Sequence, residues 1–569
     1  MFLRKATNAK TGRTYLSIVD GYWDSSAKMS RTKTIQKIGY LDELQKEFDD
    51  PVSHFTEIAK QLNAEKQSGT VTLPFDINQE LPVGENMRLL GYAPLSKIYH
   101  ELGLHSFFNN RSRYLQIKYN INNIVKLLVF SRILDPASKK KTYEKKDRFF
   151  ENTDFSLDDV YRSLGYINRY RDSAQLWIHS HIPYRNTELV YYDVTNYYFE
   201  IDEQDELRKK GVSKEHRPDP IVQMGLFMDT NGIPITYRLF PGNINDCETL
   251  IPIMRDLKRD YGIGKTIVVA DKGMNTHKNI VWNIIKGNGY VYSQTVRGGH
   301  KELKDYVLDE EGYRQEGEDF RIKSRVYPRE INVTDINGKT KKVRINEKQI
   351  ILYSNRYSKR AKADREATIL KACDLVNNPA KYNRATSYGA AKYVKNLEYD
   401  PKTGEILSLN HKPVFNEAKL KEDEKWDGYY AIVTSELDKT DSEIIEIYRG
   451  LWKIEESFKL TKSDLEARPV FVTREDHIQA HFLICFIALV ILRMLQKRLD
   501  NKFSAAYIVE SLRKSQCIHM KENHYLLYHR DSVIDAIKDK MGVDLTRKVM
   551  RYGDLKNIFG SVKKVFITQ

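Results

Sequence analysis

Residues 448–462 read YRGLWKIEESFKLTK, and this stretch decides how the rest of the chain is interpreted. Its apolar residues recur at helical spacing, and two upstream isoleucines extend the stripe, which predicts one amphipathic helix. Glu455 lies seven residues from both Tyr448 and Lys462, so one helix face carries all three. That face is predicted to point inward, where an unpaired carboxylate is costly to bury. The sequence therefore predicts a partner for Glu455 inside the fold.

Residues 187–295 supply a sheet against which such a helix can pack. Their pattern predicts three strands, a helix, a fourth strand, a second helix and a fifth strand. Asn231-Gly232 lies between the second and third strands and is a strong hairpin signal. The helix that carries Glu455 would then close the sheet on both faces. The sequence predicts an α/β fold with a mixed sheet of strand order 3-2-1-4-5.

Two aspartates lie near strand ends in this predicted sheet. Asp193 lies in the first strand, ELVYYDVTNYYF, and Asp271 follows the fourth, KTIVVADKGM. These strands are neighbours at the point where the strand order reverses, which is where ligand sites form in open α/β sheets. Glu455 would join them as a third carboxylate. Three carboxylates without cysteine or clustered histidine predict an oxygen-only site for Mg²⁺, with Mn²⁺ as a substitute.

Such a site has a definite chemistry. Two divalent ions about 4 Å apart can activate a water or a 3′-hydroxyl and stabilise the leaving oxygen of a phosphodiester. Two other aspartates compete for the role. Asp229 lies in the turn sequence DTNG, and the turn explains it. Asp246 is predicted to cap a helix, with a place at the rim of the cleft.

The composition indicates a globular protein that contacts nucleic acid. The chain has 569 residues, of which 41% are hydrophobic and 30% charged, enough for several domains with a real core. The net charge is +15 and the pI about 9.2. Lys/Arg-dense stretches at 139–141, 145–146 and 359–365, with tyrosines among them, fit contact with the phosphate backbone of double-stranded DNA.

The four cysteines are far apart, and the sequence contains no CxxC, so neither a zinc ribbon nor a disulfide framework is predicted. This pattern suits a reducing cytoplasm. The N-terminal MFLRKATNAKTG has no apolar signal core. The longest apolar run, residues 482–492, is too short to span a bilayer and predicts a buried helix.

The chain is predicted to contain six segments. They are a β-rich domain (1–85), a helical DNA-binding domain (86–180), the first part of the catalytic core (181–295), a β-rich insertion (296–428), the second part of the core with the glutamate helix (429–500) and a C-terminal region without an assigned role (501–569).

These motifs, in this order, resemble the DDE transposases of bacterial insertion sequences. The resemblance is to the group with a Tyr-Arg-Glu-Lys signature, in the branch with a long β-rich insertion. Tyr448, Glu455 and Lys462 match the signature in type and spacing, and YYDVTNYYF, PGNINDCETL and VVADKGM resemble the segments around the two aspartates. Leu451 departs from the pattern, because the signature has arginine there.

The resemblance implies an RNase H-like core whose catalytic and metal-binding residues are Asp193, Asp271 and Glu455. It also implies an enzyme that binds the inverted-repeat ends of its element, hydrolyses the phosphodiester and joins the 3′-hydroxyl to target DNA. The implied assembly is a homodimer on DNA, in the bacterial cytoplasm with the nucleoid. The implied DNA contacts are Thr195, Tyr448, Arg449, Trp452, Lys459 and Lys462.

Three alternatives stay open on the sequence alone. The chain could be another RNase H-like DNA nuclease, such as a junction resolvase. It could be a non-catalytic DNA-binding protein derived from a transposase. His477 and His481 lie four residues apart on a helix, a spacing that can bind zinc, but a third ligand and an HExxH motif are lacking.

Overall fold

The computed structural model describes residues 1–9, 11–24, 29–68, 78, 87–214, 218–334, 339–378, 389–399, 406–408, 413–521 and 523–564. The chain forms two compact units. The first comprises Met1–Met87, Cys517–Leu527 and Arg547–Ser561, and the second comprises the rest. The boundary predicted after residue 85 lies two residues from Met87. The other predicted domain boundaries remain predictions.

The first unit begins with an antiparallel sheet of three strands. These are β1 (Phe2–Thr7), β2 (Thr14–Asp24) and β3 (Met29–Tyr40), followed by α1 (Leu41–Leu44) and α2 (Pro51–Ser68). Ile18 on β2 packs with Ala59 and Leu62 on α2 to form a small core. This unit has the β-rich character that the sequence predicts for its N-terminal segment.

Residues 87–180 are mainly helical, as predicted for this segment. They form β4 (Met87–Leu89), α3 (Tyr92–Glu101), α4 (Leu104–Ser112), α5 (Ile121–Leu134), α6 (Lys139–Glu144), α7 (Leu157–Arg169) and α8 (Arg171–Ser180).

The next segment builds the first half of the central sheet. Its elements are β5 (Leu189–Tyr198), β6 (Ile221–Asp229), β7 (Pro234–Pro241), α9 (Asp246–Asp260), β8 (Ile267–Ala270), α10 (His277–Ile285) and β9 (Gly289–Gln294). The five strands lie in the order β7-β6-β5-β8-β9, which is the predicted order 3-2-1-4-5. β5 pairs antiparallel with β6 and parallel with β8, so the sheet is mixed.

The region predicted as a β-rich insertion adds strands to this same sheet. Its elements are α11 (Lys301–Leu308), β10 (Arg314–Gln315), β11 (Phe320–Thr334), β12 (Thr340–Ser354), α12 (Asn355–Asn377), β13 (Val394–Lys395), β14 (Glu398–Tyr399), β15 (Ile406–Ser408), β16 (Val414–Phe415), α13 (Glu417–Glu424) and β17 (Tyr429–Thr434). β17 pairs with β9 on one side and β12 on the other, which makes nine strands in the order β10-β11-β12-β17-β9-β8-β5-β6-β7. The long strands of the insertion thus extend the sheet of the core, and this sheet buries the apolar centre of β12.

The single helix predicted around residues 441–465 is two helices. α14 (Asp441–Arg449) ends at Gly450, and α15 (Trp452–Ser463) begins after Leu451. A Cβ atom on Gly450 would lie 2.0 Å from the hydroxyl of Tyr191, so only glycine allows this close approach to β5. Tyr448 and Glu455 therefore lie on different helices, α14 and α15.

One long helix, α16 (Glu475–Arg498), forms the core of the second unit. It packs against α5, α7, α15 and β7. Its length and composition would suffice to cross a membrane, but 94% of its most apolar window is buried inside the protein. The prediction of a buried helix is confirmed, although the helix is longer than the apolar run that predicted it.

The chain ends with short elements. They are α17 (Ala505–Lys514), β18 (Gln516–His519), β19 (His524–Leu527), α18 (Ser532–Met541), β20 (Val549–Arg551) and α19 (Tyr552–Ser561). β19 pairs antiparallel with both β18 and β20.

Candidate active site

Asp193 and Asp271 occupy neighbouring positions just beyond the end of β8. β5 continues to Tyr198, so Asp193 lies in the middle of its strand, and the prediction that it lies near the strand end is wrong. The parallel pairing of β5 with β8 runs from Leu189↔Ile267 to Tyr192↔Ala270. Asp193 and Asp271 are therefore the next residues in the same register, on strands that lie about 4.8 Å apart. The two carboxylates interact electrostatically.

The surroundings of Asp193 disfavour its charge. Burial, together with the nearby carboxylates of Asp271 and Asp246, raises the pKa of this carboxyl group to about 6. Lys214 and the backbone N–H of Val194, which donates to Asp193 Oδ1 at 2.7 Å, act in the opposite direction. A second positive charge at this position would stabilise the ionised form.

Glu455 does not lie on the buried face of its helix, so this part of the prediction is wrong. The buried side chains of α15 are Ile454, Ser457, Phe458, Leu460 and Thr461, whereas Glu455 is exposed. The neighbouring side chains of Ile454 and Phe458 take the inward direction instead.

Tyr448 nevertheless connects Glu455 with the aspartates. Its side chain is partly buried, and burial raises the pKa of its hydroxyl group to about 12, with further contributions from the charges of Asp271 and Glu455. The phenol hydroxyl of Tyr448 therefore interacts electrostatically with both carboxylates. α14 packs on β8 and β9, and α15 packs on β5, so the two helices cover the strand ends that carry the aspartates.

Ser293 is a residue of this site that the sequence did not reveal. It lies on β9, and its hydroxyl group donates a 2.7 Å hydrogen bond to Asp271 Oδ1. It also hydrogen-bonds with Tyr448. A serine in a strand has no pattern that sets it apart from structural serines, so only the pairing of β9 with β8 identifies it.

Replacing Ser293 by alanine is expected to weaken divalent-metal binding and strand cleavage about 10-fold. Groups that orient a metal-binding carboxylate typically contribute 10- to 100-fold in affinity or activity, and Asp271 would lose its orienting donor. Titration of Mn²⁺ binding and a cleavage time course measure both effects. Ser435→Ala is the control, because that serine also lies beside β9 but hydrogen-bonds to Tyr290 and Glu436 instead. Equal metal affinities for the Ser293→Ala and native proteins would contradict the assignment.

Arg493 of α16 fixes the position of α15. Its guanidinium group is 7% exposed, and it donates to Ser457 Oγ at 2.7 Å and to the carbonyl oxygen of Lys453 at 3.3 Å. It also pairs with Glu456 Oε2 at 2.9 Å. These bonds hold the turns of the helix on either side of Glu455.

A second anchor joins α15 to β5. The hydroxyl groups of Tyr197 and Thr461 are 2.7 Å apart and both residues are buried. Since β5 also carries Asp193, this contact sets the distance between the aspartate strand and the glutamate helix.

Lys214 and Asp246 lie near Asp193, and the sequence analysis missed Lys214. Lys214 Nζ donates to the carbonyl oxygen of Val194 and lies 4.0 Å from Asp246 Oδ2. The prediction that Asp246 caps α9 is wrong, because the N-cap residue is Asn245 and the cap has no side-chain hydrogen bond. Asp246 instead lies at the rim of the cleft, as the second half of that prediction stated.

Asp229, the other competing aspartate, has a structural role. It is fully buried and pairs with Arg185 at 3.0 Å, and its second oxygen accepts from the N–H of Ile233. Asp229 therefore stabilises the turn between β6 and β7, as its place in the sequence DTNG predicts.

The donor chemistry of the site fits a divalent metal ion. Asp193, Asp271 and Glu455 offer oxygen atoms alone, and Asp193 is a partly buried carboxylate whose charge is only partly balanced. Across the described ranges, no three acidic, histidine or cysteine side chains already lie close enough together to hold one ion. Asp193 and Asp271 are adjacent. Glu455 is linked to Asp271 by Tyr448, which interacts electrostatically with both carboxylates.

The residues expected to contact DNA are divided between surface and interior. Trp452 is 55% exposed, and Lys459 is exposed on the same helix. Arg449 is exposed and pairs with Glu446 at 2.6 Å. Lys462 is partly buried, with its ammonium group 5.7 Å from the ring centre of Tyr197.

Two positions do not offer a surface to DNA. Thr195 is 4% exposed, because it lies in the buried half of β5, so its predicted contact is wrong for this structure. Leu451 is 6% exposed at the junction of α14 and α15. The slot where the family signature has arginine is therefore filled by a packed apolar side chain.

The basic stretches also contain buried members. Lys139 is 5% exposed and donates to His481 Nδ1 at 3.2 Å, while Arg365 is buried and pairs with Asp427. Burial lowers the pKa of Lys139 to about 7. These two side chains are used inside the fold, and only the other members of their stretches remain candidates for DNA contact.

The histidine pair on α16 is used in packing. His481 is buried between Lys139 and the carbonyl oxygen of Ala467, and His477 stacks on Tyr161. Burial lowers the pKa of His481 well below its ordinary value. Neither histidine belongs to a metal-binding cluster among the residues that the structure describes, so the zinc alternative has no support.

Comparison with known proteins supplies two matches by family. Residues 200–491 match the model described as "Transposase DDE domain", and residues 3–72 match "IS1634 family transposase, N-terminal domain". The first match begins seven residues after Asp193 and includes Asp271 and Glu455. No curated protein sequence matches the chain. A solved structure described as a cryo-EM structure of the piggyBac transposase synaptic complex with hairpin DNA is similar at 8% identity and a TM-score of 0.36, over 84% of this chain and 87% of the other.

Proposed function

The chain belongs to the DDE transposases of insertion sequences, enzymes that cut and transfer DNA, and we propose from this premise that Asp193, Asp271 and Glu455 are its catalytic carboxylates. The observation that carries this assignment is the register of β5 and β8, which puts Asp193 beside Asp271. Glu455 joins them through α15, which packs on β5 and is fixed by Arg493. We further propose that the nine-stranded sheet is an RNase H-like core.

The family uses divalent metal, and we propose Mg²⁺ as the physiological ion, with Asp193, Asp271 and Glu455 as its ligands. Bound metal would supply Lewis-acid activation of a water or 3′-hydroxyl and charge stabilisation at the phosphodiester. Ser293 would hold the Asp271 carboxylate in place through its 2.7 Å hydrogen bond.

The protein binds DNA as a member of this family, and the finer contacts are proposals. Trp452, Lys459 and Lys462 lie on α15 with Glu455, so a strand end bound there would pass the carboxylates. Lysine is suited to phosphate as a compact point charge. We propose that this helix binds the end of the element and that a homodimer carries out the complete reaction at the inverted-repeat ends.

The two alternative functions that the sequence alone left open would give different results with DNA. A different RNase H-like nuclease would cleave DNA without joining its 3′-hydroxyl to a second duplex. A non-catalytic derivative would bind DNA and leave it intact. A strand-transfer assay with duplex DNA and a supercoiled target separates all three.

Metal binding is expected to depend on pH, because Asp193 must lose its proton to bind the ion. Its folded pKa of about 6 lies above the ordinary value, so the protonated form dominates at pH 5 and the ionised form at pH 7.5. Excess Mn²⁺ should raise the melting temperature by roughly 2–5 °C at pH 7.5 and have little effect at pH 5. Differential scanning calorimetry at the two pH values measures the difference.

A matched pair of variants makes this test specific. Glu455→Gln should lose most of the stabilisation by Mn²⁺ at pH 7.5. Glu446→Gln should keep it, since Glu446 is an exposed glutamate of α14 that pairs with Arg449. An equal rise in melting temperature for native protein and Glu455→Gln would remove Glu455 from the metal site.

A further inference from the structure

The hairpin of β11 and β12 extends well beyond its neighbours in the central sheet. The two strands pair with each other from Phe320↔Ser354 to Thr334↔Thr340. β12 pairs with β17 only over Lys348–Tyr353, and β10 covers only the start of β11. Residues 326–334 and 340–347, which we call the β11–β12 ribbon, therefore have no further strand neighbour within the described part of the chain.

The inner face of the ribbon is packed on the protein. Ile331 is 2% exposed and belongs to the main core of the sheet, and Val333 and Ile345 pack against that core. α10 lies against β11 on this side. This packing fixes the ribbon to the protein, so its other face has a defined orientation.

The outer face is polar and exposed. Its cross-strand pairs are Glu330↔Arg344 and Asn332↔Lys342, and Asn346 continues the row. The side chains of Lys342 and Arg344 are 75% and 76% exposed. Glu330 lies 3.5 Å from Lys342 and 3.3 Å from Arg344, but exposed pairs of this kind contribute at most about 1 kcal/mol. Both cations can therefore exchange this partner for another.

The ribbon is joined to the loop that carries Asp271. Arg329 donates to Glu347 and to Asn275 Oδ1, each at 3.0 Å. Asn275 lies four residues after Asp271, and its side chain donates to the carbonyl oxygen of Ser293 at 3.1 Å. A duplex whose strand lies at Asp271 has only a short distance to reach the ribbon.

We propose that the outer face of the β11–β12 ribbon lies in the major groove of the duplex on which the protein acts and reads base sequence there. The major groove is about 12 Å wide and admits a two-stranded ribbon. Eight residues of strand span roughly 27 Å, enough to follow several base pairs.

The residue types on this face match base edges as well as phosphates. Arginine and lysine donate to guanine, asparagine pairs with adenine, and glutamate accepts from the amino group of cytosine. A face that bound phosphate alone would have no use for Glu330 between two cations. The mixed set Arg344, Lys342, Asn332 and Glu330 thus indicates base reading. This inference rests on the transposase acting on duplex DNA, but it does not depend on the assignment of the metal ligands.

The test uses the full-length protein and a pool of duplexes with a randomised central segment. Wild-type protein is expected to select a preferred duplex. Arg344→Ala should bind that duplex about 10- to 100-fold more weakly, which is the range of one lost base contact. On a scrambled duplex of the same composition the loss should be only a few-fold. Arg344→Lys keeps the charge and should fail to restore the preference.

The matched control is Arg259→Ala, which removes one exposed, ion-paired arginine from α9. It should leave the preference unchanged. Equal losses on the preferred and scrambled duplexes, full restoration by lysine, or no loss at all would each overturn base reading by the ribbon. A different result would show that the proposed metal site is wrong. In that case the carboxylate variants would still cleave DNA, and the binding preference for the selected duplex would persist.

Discussion

Asp193→Asn is expected to lower the rate of DNA strand cleavage by on the order of 10³-fold or more, while the affinity for duplex DNA stays within a few-fold. A metal ion at such a site lowers the activation free energy by several kcal/mol. Each 1.36 kcal/mol corresponds to a factor of ten in rate. Asparagine keeps the size of the side chain but loses one oxygen and its charge. Cleavage of a labelled duplex in Mg²⁺, with binding measured in parallel, gives both quantities.

The same substitution should stabilise the metal-free protein at pH 7.5. The folded pKa of Asp193, about 6, is higher than its ordinary value, so the carboxyl group favours folding at low pH. That contribution is fully present below about pH 4 and is lost as the pH rises through 6. At pH 7.5 the buried charge destabilises the folded protein. Replacing it by asparagine should raise the free energy of unfolding by roughly 1–3 kcal/mol. Urea unfolding in the presence of a chelator measures this change.

Asp260→Asn is the control for both experiments. Asp260 is an aspartate on α9 paired with Arg259, away from the strand ends. It should change neither cleavage nor metal-free stability by a measurable amount. Retention of cleavage by Asp193→Asn would show that this residue is not a catalytic carboxylate. A loss of stability instead of a gain would show that its charge is well compensated in the folded protein.

The sequence was sufficient to place the aspartates. Hydrophobic runs locate β5 and β8, and the crossover rules for α/β sheets make them neighbours, so Asp193 and Asp271 follow from pattern and topology alone. Ser293 could not be found this way, because its role depends on which residue of β9 lies opposite the end of β8. Lys214 lies outside any periodic segment, and only tertiary packing brings it to Asp246.

The helix break and the extension of the sheet were also beyond the sequence. The apolar stripe continues through Gly450 and Leu451, so periodicity alone predicts one helix. The break follows from the contact of Gly450 with Tyr191, a residue more than 250 positions away. Likewise, the alternation in β12 identifies a strand without identifying its partner, β17.

Arg493→Met is expected to lower the free energy of unfolding by about 2–4 kcal/mol and to slow cleavage as well. The guanidinium group is buried, so methionine leaves the hydroxyl oxygen of Ser457 and the carboxylate of Glu456 without this donor. Methionine fills similar space, which separates the loss of hydrogen bonds from the loss of packing. Because these bonds hold α15, Glu455 should also lose its fixed position.

Denaturant unfolding and cleavage kinetics measure the two effects of Arg493→Met. Arg498→Met is the control, since Arg498 lies on the same helix but is 30% exposed and pairs with Glu101. Its effects should be under about 1 kcal/mol. Lowered cleavage at a temperature where the Arg493→Met protein remains folded would support a positioning role. A stability loss with unchanged cleavage would confine Arg493 to the fold.

The central claim is that three carboxylates from β5, the end of β8 and α15 form one metal site. Crystals of the protein with duplex DNA, soaked in Mn²⁺ and measured at the manganese absorption edge, test it most directly. We expect anomalous peaks bonded to carboxylate oxygens of Asp193, Asp271 and Glu455. Manganese bound elsewhere, or bound to the aspartates with Glu455 remaining apart, would contradict it.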